Sequence, residues 1–299
     1  MNPRQAQVGA IARISAVGTA YGIEMAPLLE RLTPLADEIA DFVMVTVPHT
    51  FDRVSVAARI APGSGLLDKV HAVGGDEQRE IAARMVGPEL RFLGVEVEIR
   101  RDAPLAVSLH AFGARSLDLD LARLSASGVG EAARATLAEY VGMLGADAKL
   151  VALSARAYDD TRSWLLRIAR PNGDDEAREV SRTRIAALAR RLGVTMPQLG
   201  VIDSMHDVLA KDRDTHVVLR VGNDGIEREL GLVFARARWE TLVRMMVGFY
   251  PGRDLAQHLG GIAGAFDADV AASVELVLGV TEPPGMRIAS VLRSGRVPA

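Results

Sequence analysis

Extended segments in which apolar and polar residues alternate come in pairs along this chain, and the pairs meet at turn signals near residues 50, 102, 159, 224 and 283. Phe42–Val47 and Arg53–Ala61 flank Pro48-His49-Thr50-Phe51, and Leu90–Arg100 and Leu105–Gly113 flank Asp102-Ala103-Pro104. Lys149–Arg156 and Arg162–Arg170 flank Asp159-Asp160, while His216–Val221 and Ile226–Ala235 flank Asn223-Asp224-Gly225. Val270–Val280 and Met286–Arg293 flank Glu282-Pro283-Pro284-Gly285. A side-chain period of two marks strands, so the pattern predicts five hairpins and ten strands. Helical sequence lies between them: Gly130–Gly145, Asp174–Gly193 with an acidic first turn and a glycine stop, Pro197–Lys211, and Trp239–Phe266 with a break at Pro251-Gly252. A unit of helix, strand, strand, helix excludes a doubly wound parallel sheet. It predicts an α+β fold: a ten-stranded antiparallel β-barrel built from five αββα units with the helices outside, one domain over residues 1–299.

With helices on the outside, the apolar face of each strand turns out to meet them and the other face lines the lumen. Val274, Leu276, Leu278 and Val280 put Ser273, Glu275 and Val277 inside; Leu105, Val107, Leu109 and Ala111 do the same for Ser108, His110 and Phe112. By the same alternation Glu96 and Glu98, Ser55 and Arg59, Ser163 and Arg167, and His216 and Arg220 face inward. The Ile226–Ala235 segment is ambiguous. Leu230, Leu232 and Phe234 carry Arg228 outward and leave Glu227 and Glu229 inside, unless a bulge at Asn223-Asp224-Gly225 reverses the register. Inward charges in a packed small barrel are costly, so a wide, wet or ligand-filled lumen is the simpler expectation.

Composition narrows the class. With 299 residues, 49% hydrophobic and 24% charged, the chain can bury a large core. Neither a run of eighteen apolar residues nor a secretory signal is evident, so a cytoplasmic location is expected. Zero cysteines rule out disulfides, thiolate metal sites and cysteine nucleophiles. A net charge of −3 gives no reason to expect nucleic acid or an anionic membrane as partner.

At the level of residues the chain resembles the soluble aromatic prenyltransferases with the αββα, or ABBA, barrel. The similarity lies in Ala189-Arg190-Arg191-Leu192-Gly193-Val194-Thr195-Met196-Pro197, in Gly225-Ile226-Glu227-Arg228 and in Gly279–Leu292, while the first half matches in topology. The resemblance implies a biosynthetic enzyme of secondary metabolism that transfers a dimethylallyl or geranyl group from its diphosphate to an aromatic acceptor inside the barrel. Small molecules are then the partners, and no cofactor is required, with Mg²⁺ at most accompanying the diphosphate.

Carried over by position, the resemblance places Arg228 where the family has a diphosphate-binding arginine and Arg287 where it has a lysine; an arginine fork suits phosphate oxygens. Arg59, Arg167 and Arg220 are candidates to assist. Ser108 and His110 fall at a family lysine and tyrosine, and Arg167 or Leu166 at another tyrosine. The tyrosines that shield the allylic cation in the family are missing: Tyr21, Tyr140, Tyr158 and Tyr250 are the only ones, and none sits mid-strand on a lumen face. The alternative is the same barrel repurposed to bind or convert another anionic small molecule without prenyl transfer.

The lumen also collects His110 and His216 with Glu96, Glu98 and Glu275, residue types suited to acid–base work, with Glu275 and His110 the catalytic candidates; charge pairing across strands is the competing explanation. Arg287 could equally make an ion pair with Glu275 or Glu282. Asp118-Leu119-Asp120 reads as a helix entry before a Mg²⁺ site, and Gly63-Ser64-Gly65 as a turn before a helix. Gly260-Gly261 and Gly264 are expected to allow close helix packing.

Overall fold

A computed structural model describes residues 3–48, 50–101, 103–158, 161–170, 173–209, 214–222, 225–250, 260, 271–279 and 285–293. Its strands are β1 (Phe42–Pro48), β2 (Arg53–Ile60), β3 (Leu90–Arg100), β4 (Ala103–Gly113), β5 (Lys149–Tyr158), β6 (Thr161–Arg170), β7 (Thr215–Val221), β8 (Ile226–Ala235), β9 (Ser273–Leu278) and β10 (Gly285–Arg293). Every neighbouring pair is antiparallel, and β10 closes on β1, giving a barrel in the order β1-β10-β9-β8-β7-β6-β5-β4-β3-β2. Closure leaves no strand edge exposed to pairing with another chain. The strand ends nearest each hairpin turn gather at one end of the barrel, and the ends nearest the helices lie at the other.

The ten strands are those the alternation predicts, with ends shifted by one to three residues. The helix from Trp239 ends at Phe249, just before the Pro251-Gly252 break; the expected continuation to Phe266 lies outside the described residues apart from Gly260. The Asn223-Asp224, Asp159-Asp160 and Glu282-Pro283-Pro284 turn residues also lie outside them. Among the described residues no helix is long and apolar enough to cross a membrane.

The main core lies between barrel and helices. Val54, Val56, Val95, Val97, Leu153, Trp164, Leu166, Leu219, Leu232 and Leu276 turn outward and pack with helical residues such as Leu137, Ile185, Leu188 and Leu242 in one buried cluster. A separate small cluster of Leu165, Val218 and Val233 belongs to the inner face. Two clusters on opposite faces of one sheet are what the period of two dictates.

Local chemistry fixes the helices. Asp174 caps Asp175–Leu192 by accepting from the Ala177 N–H at 2.7 Å, and Gly193 ends it at φ 81°, a left-handed conformation that suits glycine. Gly63-Ser64-Gly65 is a helix entry: the Leu66 and Lys69 amides donate to the Gly63 and Gly65 carbonyls. Asp120 of the D-x-D pair is fully buried; Arg115 Nε and Nη2 donate to it at 2.8 and 2.6 Å, and Arg123 Nη1 at 2.8 Å. Those bonds make Asp120 an anchor tying the helix Leu117–Ala126 to the barrel.

Candidate active site

Described residues drawn mostly from the inner face surround a cavity of about 300 Å³. Among the described residues its charged walls are Arg59, Arg156, Arg167 and Arg287 with Glu96 and Glu275, four guanidinium groups and two carboxylates. His110 and Ser154 add polar surface, and Phe42, Phe92, Phe112, Met44, Leu165, Val218, Val233 and Val291 supply much of the apolar lining. The phenylalanines come from the helix-connected ends of β1, β3 and β4, whereas Arg156 and Arg287 come from the hairpin ends of β5 and β10. The cavity therefore has an aromatic end and a cationic end.

At the cationic end, Arg287 and Glu275 are direct cross-strand partners, with Arg287 Nη1 3.5 Å from Glu275 Oε2. That Nη1 is buried and meets no hydrogen-bond acceptor among the described residues. An orphaned buried donor is costly, and an incoming anion would satisfy it. Arg167 also lies near Glu275: burial pushes its pKa down, while the Glu275 charge works to raise it. Gly231 makes this crowding possible, since a Cβ there would come within 2.8 Å of the Val218 Cβ and 3.1 Å of Glu275 Oε1.

Arg167 is oriented from behind. Its Nε donates to His216 Nδ1 at 2.7 Å, leaving the terminal edge of the guanidinium for the cavity that Arg167, and not His216, lines. Burial first, and the Arg167 charge second, push the His216 pKa down to about 3. A neutral imidazole is what lets Nδ1 accept from a cation.

Glu96 sits at the junction of a hydrogen-bonded chain. Ser55 Oγ donates to Glu96 Oε1, His110 Nε2 lies 2.8 Å from Oε2, and Arg156 Nη2 is 3.7 Å from the same oxygen. Burial alone would raise the Glu96 pKa; the His110 hydrogen bond, the charges of Arg156 and His110, and Ser55 outweigh it and hold it at about 2. An ionised carboxylate only accepts, so Nε2 carries a hydrogen and donates to Glu96. In the neutral imidazole Nδ1 is then an acceptor, and the Ser154 hydroxyl, 2.8 Å away, donates to it. Gly94 stands opposite His110 on β3, and a Cβ there would lie in van der Waals contact with it, 3.4 Å from the His110 Cβ.

At the aromatic end the Arg59 guanidinium lies 3.4 Å from the centroid of Phe42 and 4.6 Å from that of Phe92, which itself stacks on Phe112 at 4.6 Å. The rings hold a cation over their faces, as their quadrupoles favour.

Of the residues singled out from sequence, His110, Arg59, Arg167, Glu275 and Arg287 line the cavity. Arg228 does not. It is exposed, because Leu230, Leu232 and Phe234 are buried against the helices and the period of two carries Arg228 to their side. The register shifts between Leu219 and Val221, where the single residue Arg220 of β7 stands opposite Glu227, Arg228 and Glu229 of β8; Arg220 pairs with Glu227 at 3.4 Å and Glu229 at 3.3 Å away from the cavity. Burial, and the repulsion of Glu229, raise the Glu227 pKa against the pull of Arg220. Ser108 is buried opposite Glu96 and does not line the cavity, and His216 acts only through Arg167. Glu98 and Ser55 border a small side cavity of about 10 Å³ shared with Glu96, Arg156 and Arg287.

Ser154, Arg156, Phe42 and Phe92 were not singled out from sequence. For Ser154 and Arg156 the signal was present, since Leu153 and Ala155 alternate with them as core residues. Phe42 and Phe92 sit where strand meets preceding chain, and there the alternation has too few residues to show a face.

The architecture of this chain is that of the ABBA barrel, a closed ten-stranded antiparallel barrel jacketed by helices. It is similar to 6-dimethylallyltryptophan synthase from Micromonospora olivasterospora, whose structure was determined with DMASPP and Trp, at a TM-score of 0.70, 13% identity and 96% coverage of both chains. It is also similar to 5-dimethylallyltryptophan synthase from Streptomyces coelicolor, with TM-score 0.63, 16% identity and 97% of each chain covered. AnaPT from Neosartorya fischeri matches at TM-score 0.64 and 9% identity over 86% of this chain and 79% of that one. No protein-family model matches the sequence, and no curated protein does.

Proposed function

We propose that the protein is an aromatic prenyltransferase of small-molecule biosynthesis, moving a prenyl group from an allylic diphosphate to an aromatic acceptor within the barrel. The observation that carries this reading is a cavity with Arg156, Arg167 and Arg287 gathered around Glu96 and Glu275 and with phenylalanine and apolar surface at its other end, inside an ABBA barrel. Arg287, Arg167 and Arg156 take the diphosphate and stabilise the charge that grows on it as the allylic C–O bond breaks. The apolar and phenylalanine surface takes the prenyl chain and the acceptor ring, and aromatic faces favour the cationic carbon. Phenylalanine thus supplies what the missing tyrosines would. Glu275 holds the arginines in place before the anion arrives, and His110, oriented by Glu96, can take up a proton only through a neighbouring group. No cofactor is required; Mg²⁺, where present, enters with the diphosphate.

Calorimetric titration with dimethylallyl and geranyl diphosphate tests the reading. The expected result is a Kd near the micromolar range, about −8 kcal/mol, weakened at least tenfold in Arg287→Ala and unchanged in Arg228→Ala. Binding would then direct an acceptor screen by mass spectrometry. Absence of binding by either diphosphate would overturn the reading and favour the second one, a barrel that takes a different anion.

A further inference from the structure

Prenyl transfer to an aromatic ring must end with loss of a proton, and the cavity offers few groups to receive it. The Glu96 carboxylate is badly placed for that task. Its Oε1 accepts from Ser55, its Oε2 accepts from His110, and Arg156 lies 3.7 Å from Oε2. His110 cannot touch a substrate through either ring nitrogen while Nε2 faces Glu96 and Nδ1 faces Ser154. Ser154 is the member of the chain with capacity to spare: it lines the cavity, and when the imidazole is neutral its hydroxyl hydrogen is donated to Nδ1 and its oxygen lone pairs remain available.

We propose that Ser154 is the residue that touches the acceptor and relays its proton to His110, with Glu96 as the fixed counter-ion that orients the imidazole and steadies the imidazolium. The relay rests on the prenyl-transfer reading above. As the ring attacks, a C–C bond forms between a ring carbon and the allylic carbon, and the C–O bond to the diphosphate breaks with its electron pair leaving on the diphosphate. The ring C–H bond then breaks, its electrons restoring aromaticity and its proton passing to Ser154 Oγ. Ser154 gives its own hydroxyl proton to His110 Nδ1. The nucleophile–base–orienter arrangement is one in which hydroxyl, imidazole and carboxylate act as a unit, here used to carry a proton.

Register supports the assignment. His110 and Ser154 are direct cross-strand partners on β4 and β5, Gly94 stands opposite His110 on β3, and Glu96 is the next inward residue of that strand. The imidazole reaches diagonally to Glu96 over the space a side chain at position 94 would fill.

The test uses the acceptor found in the screen, in ring-protonated and ring-deuterated form at the transferred position, with wild type, Ser154→Ala and Ser154→Thr. In Ser154→Ala, kcat should fall by roughly 10²–10⁴ with little change in KM for the diphosphate, and a primary deuterium isotope effect should emerge because deprotonation has become slow. Ser154→Thr, which keeps a hydroxyl on the same strand, should recover most of the rate and suppress the isotope effect. Equal rates and no isotope effect in Ser154→Ala, with transfer intact in wild type, would overturn the relay while leaving prenyl transfer standing. Wild-type protein that binds no allylic diphosphate would overturn the function reading first, and the relay with it.

Discussion

His216 shows how one side chain can matter without touching a ligand. It takes the Nε–H of Arg167, and burial with the neighbouring guanidinium holds its pKa at about 3, down from its usual 6.5. Because the folded value is the lower one, the unfolded chain binds more protons as pH falls. The stability His216 contributes is therefore complete above pH 6.5 and is lost progressively between pH 6.5 and about 3. Substituting His216→Gln, whose amide oxygen can still accept from Nε, should flatten the urea-midpoint profile across that interval; a slope that persists would show that other groups set it. Glu96 acts over a lower window, its contribution present above its usual 4.5 and lost as pH falls toward about 2.

At the scale of elements, the fold relies on buried polar anchors where helices leave the barrel. Asp120, at the start of the helix Leu117–Ala126, is held by Arg115 and Arg123, and Arg123 continues to Glu89 at 2.5 Å just before β3. Removing one partner of a buried pair leaves the other uncompensated, which costs about 3–5 kcal/mol. Asp120→Asn should lose stability on that order by denaturant titration, with the size unchanged by Mg²⁺; a Mg²⁺-dependent stability in wild type would instead favour a metal role for the D-x-D pair. The strands themselves were legible from the chain, because ten segments of period two leave little freedom in type or pairing order. Face assignment was legible wherever apolar alternation ran through the strand, as for Glu275 in β9 and His110 in β4. It failed to settle β8, where charge alternates with charge over Glu227, Arg228 and Glu229 and where those three residues stand opposite the single Arg220 of the partner strand.

For the whole molecule, charge placement decides more than charge content. The chain carries −3 overall, yet among the described residues four guanidinium groups and two carboxylates line the cavity. Glu275 stands between Arg287 and Arg167. Glu275→Gln should therefore lower the melting temperature of the ligand-free protein while tightening inorganic pyrophosphate by roughly tenfold, about 1.4 kcal/mol. Equal pyrophosphate affinity in the two proteins would mean that the anion binds away from this pair. Bound anion should stabilise the wild type as well, by about 2.7 kcal/mol at a hundredfold excess over Kd.

The sequence by itself determined the ten strands, their pairing into five hairpins, the outward apolar face and therefore a polar lumen, because period and turn chemistry are local properties. Tertiary structure decided which lumen residues meet. Whether Arg167 points into the cavity or lies idle depends on His216 two strand positions off its own register; whether His110 is a base or a bystander depends on Ser154 across β4 and β5 and on Glu96 of β3. Those distances follow from barrel closure and the stagger of strands far apart in the chain, and no periodicity within a single strand encodes them.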